Sequence, residues 1–139
     1  MKVIVCGGRD FRNQKLMDEV MDQFHATYNV RLVIEGGMVG ADRAARLWAK
    51  SRGIHVATVD ALWDFHRLVA GPIRNGIMLE LVPCAVVAFP GGKGTRDMKR
   101  QAAKRGLRIF QVFPEDGGRF ILRQLRLGIE YSEAVRDVI

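Results

Sequence analysis

The segment Pro90-Gly91-Gly92-Lys93-Gly94-Thr95 has the composition of an anion cradle. Glycines let a ligand approach the backbone closely. A helix starting in such a loop presents unpaired N–H groups and the positive end of its dipole, both of which favour a phosphate. The segment is not a Walker A loop, because the four-residue spacer and the Gly-Lys-Ser/Thr ending are absent. The Thr95 hydroxyl falls at the expected helix start, where capping the helix and meeting a phosphate are compatible roles. Two more glycine pairs, Gly7-Gly8 and Gly36-Gly37, close other short apolar runs, and Gly40 follows the second. After the first pair, Arg9 offers a charge to a phosphate; Asp10 offers an acceptor to a ribose hydroxyl or a cap to the turn. His25, His55 and His66 are scattered without metal-ligand spacing, so neither a metal nor another cofactor is expected.

These loops need a scaffold that brings them together. Val3–Cys6, Leu32–Ile34, Ile54–Val59, Cys84–Phe89 and Leu107–Val112 read as strands apolar on both faces. Helical spacing recurs between them. Leu16, Met17, Val20, Met21 and Phe24 follow Asn13 as N-cap, and Ala41–Arg52 ends at Gly53. Asp60 would cap a short segment through Leu68. A helix with Pro72 in its first turn runs to about Leu81, and another runs from Thr95 to Arg105. Phe113–Gly118 reads as a turn, Phe120–Leu127 as a terminal helix and Tyr131–Ile139 as an extension or tail. Alternation of this kind gives a mostly parallel sheet of five or slightly more strands with helices on both faces. The expected fold is therefore a single α/β, Rossmann-like domain over residues 1–139. All strand C-terminal ends share one edge of such a sheet. If strand order reverses between the first and fourth strands, their loops flank the crevice where ligands bind.

Composition narrows the function classes. The chain of 139 residues is 48% apolar and 27% charged, as ordinary globular domains are. Apolar stretches such as Ala85–Pro90 fall far short of the roughly 20 residues of a membrane helix. Val3–Cys6 is too short for a secretory core, so a cytoplasmic protein without a membrane partner is expected. The two cysteines, Cys6 and Cys84, make no disulfide framework and are expected as reduced, buried thiols. Net charge is +7, of which +5 lies in residues 71–139. Such an excess attracts phosphate in any form. No aromatic residue interrupts 95–108, so a single-strand stacking platform is missing there. Trp63, Phe65 and His66 offer ring faces to a base, with core packing expected for Trp63.

Three separated signatures resemble the SLOG superfamily: Pro90–Thr95, Glu35-Gly36-Gly37 with Gly40-Ala41-Asp42, and Arg74-Asn75 followed by Met78. The opening Val5-Cys6-Gly7-Gly8-Arg9-Asp10-Phe11 is similar to its small single-domain branch related to YspA and YpsA. The resemblance covers about residues 1–113. It implies a Rossmann-like fold and a nucleotide or nucleotide-derived ligand. The LOG phosphoribohydrolases of this superfamily cleave the N-glycosidic bond of nucleoside monophosphates, whereas other members sense nucleotide-derived signals, and DprA-type proteins share the fold. In LOG enzymes the motif continues to two glutamates, the second of which acts with an upstream arginine. That arginine corresponds to Arg74, the first glutamate to Asp97 and the second to Met98. A thioether cannot stabilise an oxocarbenium-like centre or orient a water, and Asp97 points about 100° round the helix from the required direction. A substitute carboxylate would come from Glu35 or Asp42.

The reading that follows is binding or sensing of a nucleotide-type ligand. Its phosphate would sit on Gly91–Thr95 and Gly36–Gly40, beside Gly7 and Gly8, with Arg9 and Arg74 as charge partners. One alternative is an N-glycosyl hydrolase using Arg74 with Glu35, Asp42 or Asp97. Another is nucleic-acid binding through the basic second half, although no helix-turn-helix or zinc-finger pattern accompanies it. Leu68, Val69, Ile73, Ile77 and the Phe120–Leu127 segment are candidates for a homo-oligomer contact.

Overall fold

A computed structural model describes residues 1–125. Its elements are β1 (Lys2–Cys6), α1 (Gln14–Tyr28), β2 (Leu32–Glu35), α2 (Ala41–Ser51), β3 (His55–Thr58), α3 (Trp63–His66), α4 (Ala70–Glu80), β4 (Ala85–Ala88), α5 (Lys93–Lys104), β5 (Arg108–Pro114) and β6 (Phe120–Gln124). The sheet runs β3-β2-β1-β4-β5-β6, with β1 to β5 parallel and β6 antiparallel to β5. Strand order reverses between β1 and β4. The crevice of a doubly wound sheet therefore opens beyond Cys6 and Ala88.

Period-two alternation divides the strands between two cores. Val3, Val5, Val33, Val87 and Phe110 face α1 and α2. Ile4, Cys6, Ile34, Val86 and Ile109 face the opposite layer, to which α4 gives Met78 and Leu79, and α5 gives Met98 and Ala102. The spacing Leu16, Met17, Val20, Met21 and Phe24 buries one stripe of α1, and the Asn13 side chain caps that helix by accepting from the Leu16 N–H at 3.0 Å. Trp48 of α2 is wholly buried, yet its indole N–H donates to the Asp22 carboxylate at 2.9 Å. Asp22 also receives Arg52 at 2.7 Å, a hydrogen bond that holds its pKa low.

Several sequence expectations are corrected. Phe120–Gln124 is a strand, not the start of a terminal helix. Gly117 and Gly118 reverse the chain with φ of 77° and 76°, and the free edge of β5 captures the returning segment. The remainder of the expected helix and its extension lies outside the described residues. Helix α5 is capped by Gly92 rather than Thr95, which sits in its first turn. No side chain caps α3, and the Asp60 carboxylate packs against Gly37 instead. Cys84 is exposed, because β4 begins only at Ala85. Trp63 is 40% exposed rather than in the core. No described helix is long and apolar enough to cross a membrane.

Candidate functional site

The C-terminal ends of β1, β2 and β4 border one cavity of about 670 Å³. Its walls are the β1–α1 loop from Gly7 to Phe11, the Pro90–Thr95 loop, and Gly36, Met38 and Asp42 around the start of α2. Arg74, Asn75 and Met78 enter from α4, and Cys6 lies at the base. Backbone bonds lace the loops together. The Gly8 N–H donates to the Pro90 carbonyl at 2.8 Å, and the Gly8 carbonyl accepts from Ala41 N–H at 3.1 Å. Gly40 has φ of 88° and lies directly on the Gly8 and Arg9 carbonyls, so only glycine lets α2 start there.

Helix α5 supplies the donors. Its first internal bond runs from Arg96 N–H to the Gly92 carbonyl at 3.0 Å. The amides of Lys93, Gly94 and Thr95 precede it and have no partner within the helix. Gly91 must lack a side chain, since a Cβ would strike the Thr95 hydroxyl and come within 2.8 Å of the Gly8 nitrogen. Gly92 and Gly94 differ, because, apart from their chain neighbours and the adjoining backbone of α5, no protein atom lies within 4 Å of where a Cβ would stand. Packing does not require glycine at either place, and both line the cavity.

Arg74 is held from two sides. Its Nη1 donates to the Gly36 carbonyl at 2.6 Å and its Nε to the Asn75 side-chain oxygen at 3.1 Å. Asn75 in turn donates to Asp97 at 2.9 Å and to the Gly94 carbonyl at 3.1 Å. Arg74 is only 8% exposed, and among the described residues it has no carboxylate within 4.0 Å. A buried cation hydrogen-bonded only to neutral oxygens, with Asp42 acting on it through space and not in a direct ion pair, can still bond an anion from outside.

The carboxylates take different parts. Glu35 is fully buried, accepting from Gly37 N–H at 2.6 Å and from the Thr58 hydroxyl, and it does not line the cavity. Asp97 also stands outside the lining, where it accepts from Asn75 and from Gln101 at 2.8 Å. Asp42 does line it, accepting from Met38 N–H at 3.2 Å. Burial pushes its carboxyl up to about 6, against the pull of the Met38 amide and of Arg74. Met98 is buried in the α4–α5 core.

The structure thus brings Gly7, Gly8, Arg9, Gly36, Asp42, Arg74 and Gly91 to Thr95 to one cavity, Lys93 included, and leaves Glu35, Gly37, Gly40 and Asp97 behind it as supports. Arg9 also stacks on Trp63, its guanidinium carbon 5.4 Å from the ring centre. Cys6 and Met38 line the cavity without having been expected there, and neither carries a polar motif that marks it in the sequence.

Residues 1–66 match the model of the YspA, cpYpsA-related SLOG family. Gene 61 protein of Mycobacterium phage D29 is 31% identical over 116 residues, which cover 78% of this chain and 93% of that protein. The chain belongs to the SLOG family. DNA processing protein A (DprA) from Streptococcus pneumoniae shares the fold, with a TM-score of 0.69 at 18% identity over 98% of this chain. This SLOG chain corresponds to 56% of that protein's length.

Proposed function

We propose that this SLOG protein binds a nucleotide or nucleotide-derived ligand by its phosphate, at the amides of Lys93, Gly94 and Thr95 opposite Arg74. The observation that carries the reading is Arg74 itself, a buried guanidinium hydrogen-bonded only to neutral oxygens, with no carboxylate within 4.0 Å among the described residues and Asp42 acting on it only through space, in the same cavity wall as the start of α5. Family membership supports a nucleotide-related role, and a cytoplasmic setting is part of the same reading. Arg9 lines the cavity and stacks on Trp63, a pair that suits the ligand's outer portion. Asp42 fills the Gly36–Gly40 turn with its own carboxylate, so the phosphate belongs on the α5 side and Asp42 suits a ribose hydroxyl. Thermal shift with AMP and ADP-ribose tests this. A rise in melting temperature with AMP, absent with adenosine and lost in Arg74→Ala, is expected. No shift with any phosphate-bearing nucleotide would refute it.

A second reading, N-glycosyl hydrolysis, has one observation in its favour. Asp42 faces the cavity with a raised pKa suited to proton transfer. The buried Met98 and the engaged Glu35 and Asp97 weigh against it. Release of free adenine from AMP, abolished by Asp42→Asn, would establish hydrolysis over simple binding. Nucleic-acid binding would instead give an affinity falling steeply with salt.

The exposed apolar residues Leu68, Val69, Ile73 and Ile77 suit contact with a second copy. Sedimentation showing a monomer at high concentration would refute that part alone.

A further inference from the structure

Lys99 is charged and has no exposed surface at all. Its ammonium donates to the side-chain oxygen of Gln111 at 2.8 Å, and Gln111, also fully buried, fixes its amide by donating to the Val112 carbonyl at 3.2 Å. Among the described residues no carboxylate lies within 4.0 Å of Lys99. Arg96, on the same helix, adds a buried Nε without a hydrogen-bond partner. An uncompensated buried charge is costly, and Met98, Ala102 and Ile109 around it belong to an apolar core. Stability alone gives no reason for a lysine there.

Its position gives one. Lys99 lies one helical turn beyond Thr95, and residues four apart share a helix face. Gln111 is level with Ala88, and Ala88 with Cys6, so the ammonium meets the row of residues that ends at the cavity base. Two strand spacings separate Gln111 from Cys6, about 10 Å. The ionisable groups around Lys99 are the Cys6 thiol of β1, Arg96 of its own helix, and Arg123, which lies opposite Gln111 on β6. Burial lowers the pKa of the amine, Arg96 adds to the effect, and Cys6 opposes it.

We propose that Lys99 is a positioning residue of the anion site, a buried cation whose field holds a phosphate-bearing ligand from beneath without touching it. The inference rests on the phosphate-binding reading of the cavity. A bound anion would supply Lys99 with a countercharge that no carboxylate among the described residues gives it within 4.0 Å.

The test compares AMP and inorganic phosphate binding to the wild-type chain and to Lys99→Met by calorimetry, from pH 7 up to the ordinary amine value of 10.5, below which burial brings the Lys99 titration. The neutral variant should unfold at a higher temperature, because a buried charge is gone. It should bind more weakly, by on the order of tenfold, the effect of one unit charge acting on another over roughly 10 Å at an effective dielectric near 20. Wild-type affinity should fall as the amine deprotonates, a decline absent from Lys99→Met. Should that variant not fold, proton uptake on wild-type binding at pH 9, where Asp42 and the phosphate are already ionised, measured in two buffers of different ionisation enthalpy, reads the same coupling. Equal affinities with parallel pH profiles, or no proton uptake, would overturn the role of Lys99 while leaving the site. Failure of the wild type to bind either probe would overturn both.

Discussion

Gly94→Ala separates what the fold needs from what a ligand needs. Gly94 occupies the first turn of α5, its backbone has no positive φ, and a Cβ there would meet nothing within 4 Å beyond its chain neighbours and its own helix backbone. Alanine is therefore sterically free, and its lower unfolded-state entropy should stabilise the protein by about 0.4–1 kcal/mol. For a chain of this size that is a rise of roughly 2–5 °C in melting temperature. Gly94 also forms part of the cavity wall, so the same methyl group would be added beside the amides of Lys93 and Thr95. Displacing a phosphate from charge-assisted bonds to backbone N–H groups costs about 1.5–3 kcal/mol for each bond lost, hence a tenfold or larger loss of affinity. Calorimetric titration with AMP and a thermal melt of the same sample measure both effects. A more stable protein that binds AMP as tightly as the wild type would refute the placement of the phosphate. A less stable one would refute the claim that the fold leaves this position open.

Other expectations follow from single groups. Asp42 has a folded-state pKa of about 6 against an ordinary value of 3.8, so the folded protein holds more protons than the unfolded chain between those values. Wild-type stability should therefore fall as pH rises from about 4 to about 6, by up to roughly 3 kcal/mol; Asp42→Asn should flatten that slope, and parallel pH profiles of urea midpoints would contradict it. Burial pushes the Cys6 thiol up to about 12, whereas Cys84 is exposed. Native protein at pH 8 should take up one iodoacetamide quickly and a second only when unfolded, as read by intact mass; rapid double labelling would contradict the burial of Cys6. Trp48→Ala should cost about 3–5 kcal/mol by urea denaturation, since it empties the α1–α2 core and leaves Asp22 without the indole donor.

Much of this architecture is legible because β-branched residues cluster. Val3–Cys6 and Ala85–Ala88 are apolar on both faces, which only a covered parallel sheet accommodates. The convergence of Gly7-Gly8, Gly36 and Gly91-Gly92 follows once strand order reverses between β1 and β4. Periodicity fails at β6, where Phe120–Leu122 fits either period and the decision comes from a free strand edge far away in sequence. Which carboxylate meets the cavity is not legible either. Glu35 ends a strand and turns to Thr58 on the neighbouring one, while Asp42 sits in a helix's first turn and faces back. Lys99 lies in a run of charged residues that reads as a solvated helix face, and only the seating of α5 on β5 reveals it as buried.

The most direct test follows the backbone amides of Lys93, Gly94 and Thr95 by nitrogen-15 NMR while AMP is added. These resonances should shift further than any others, together with the Arg74 side-chain Nε–H, and adenosine should leave them in place. If they stay still while AMP moves resonances elsewhere, the anion is not held at the start of α5.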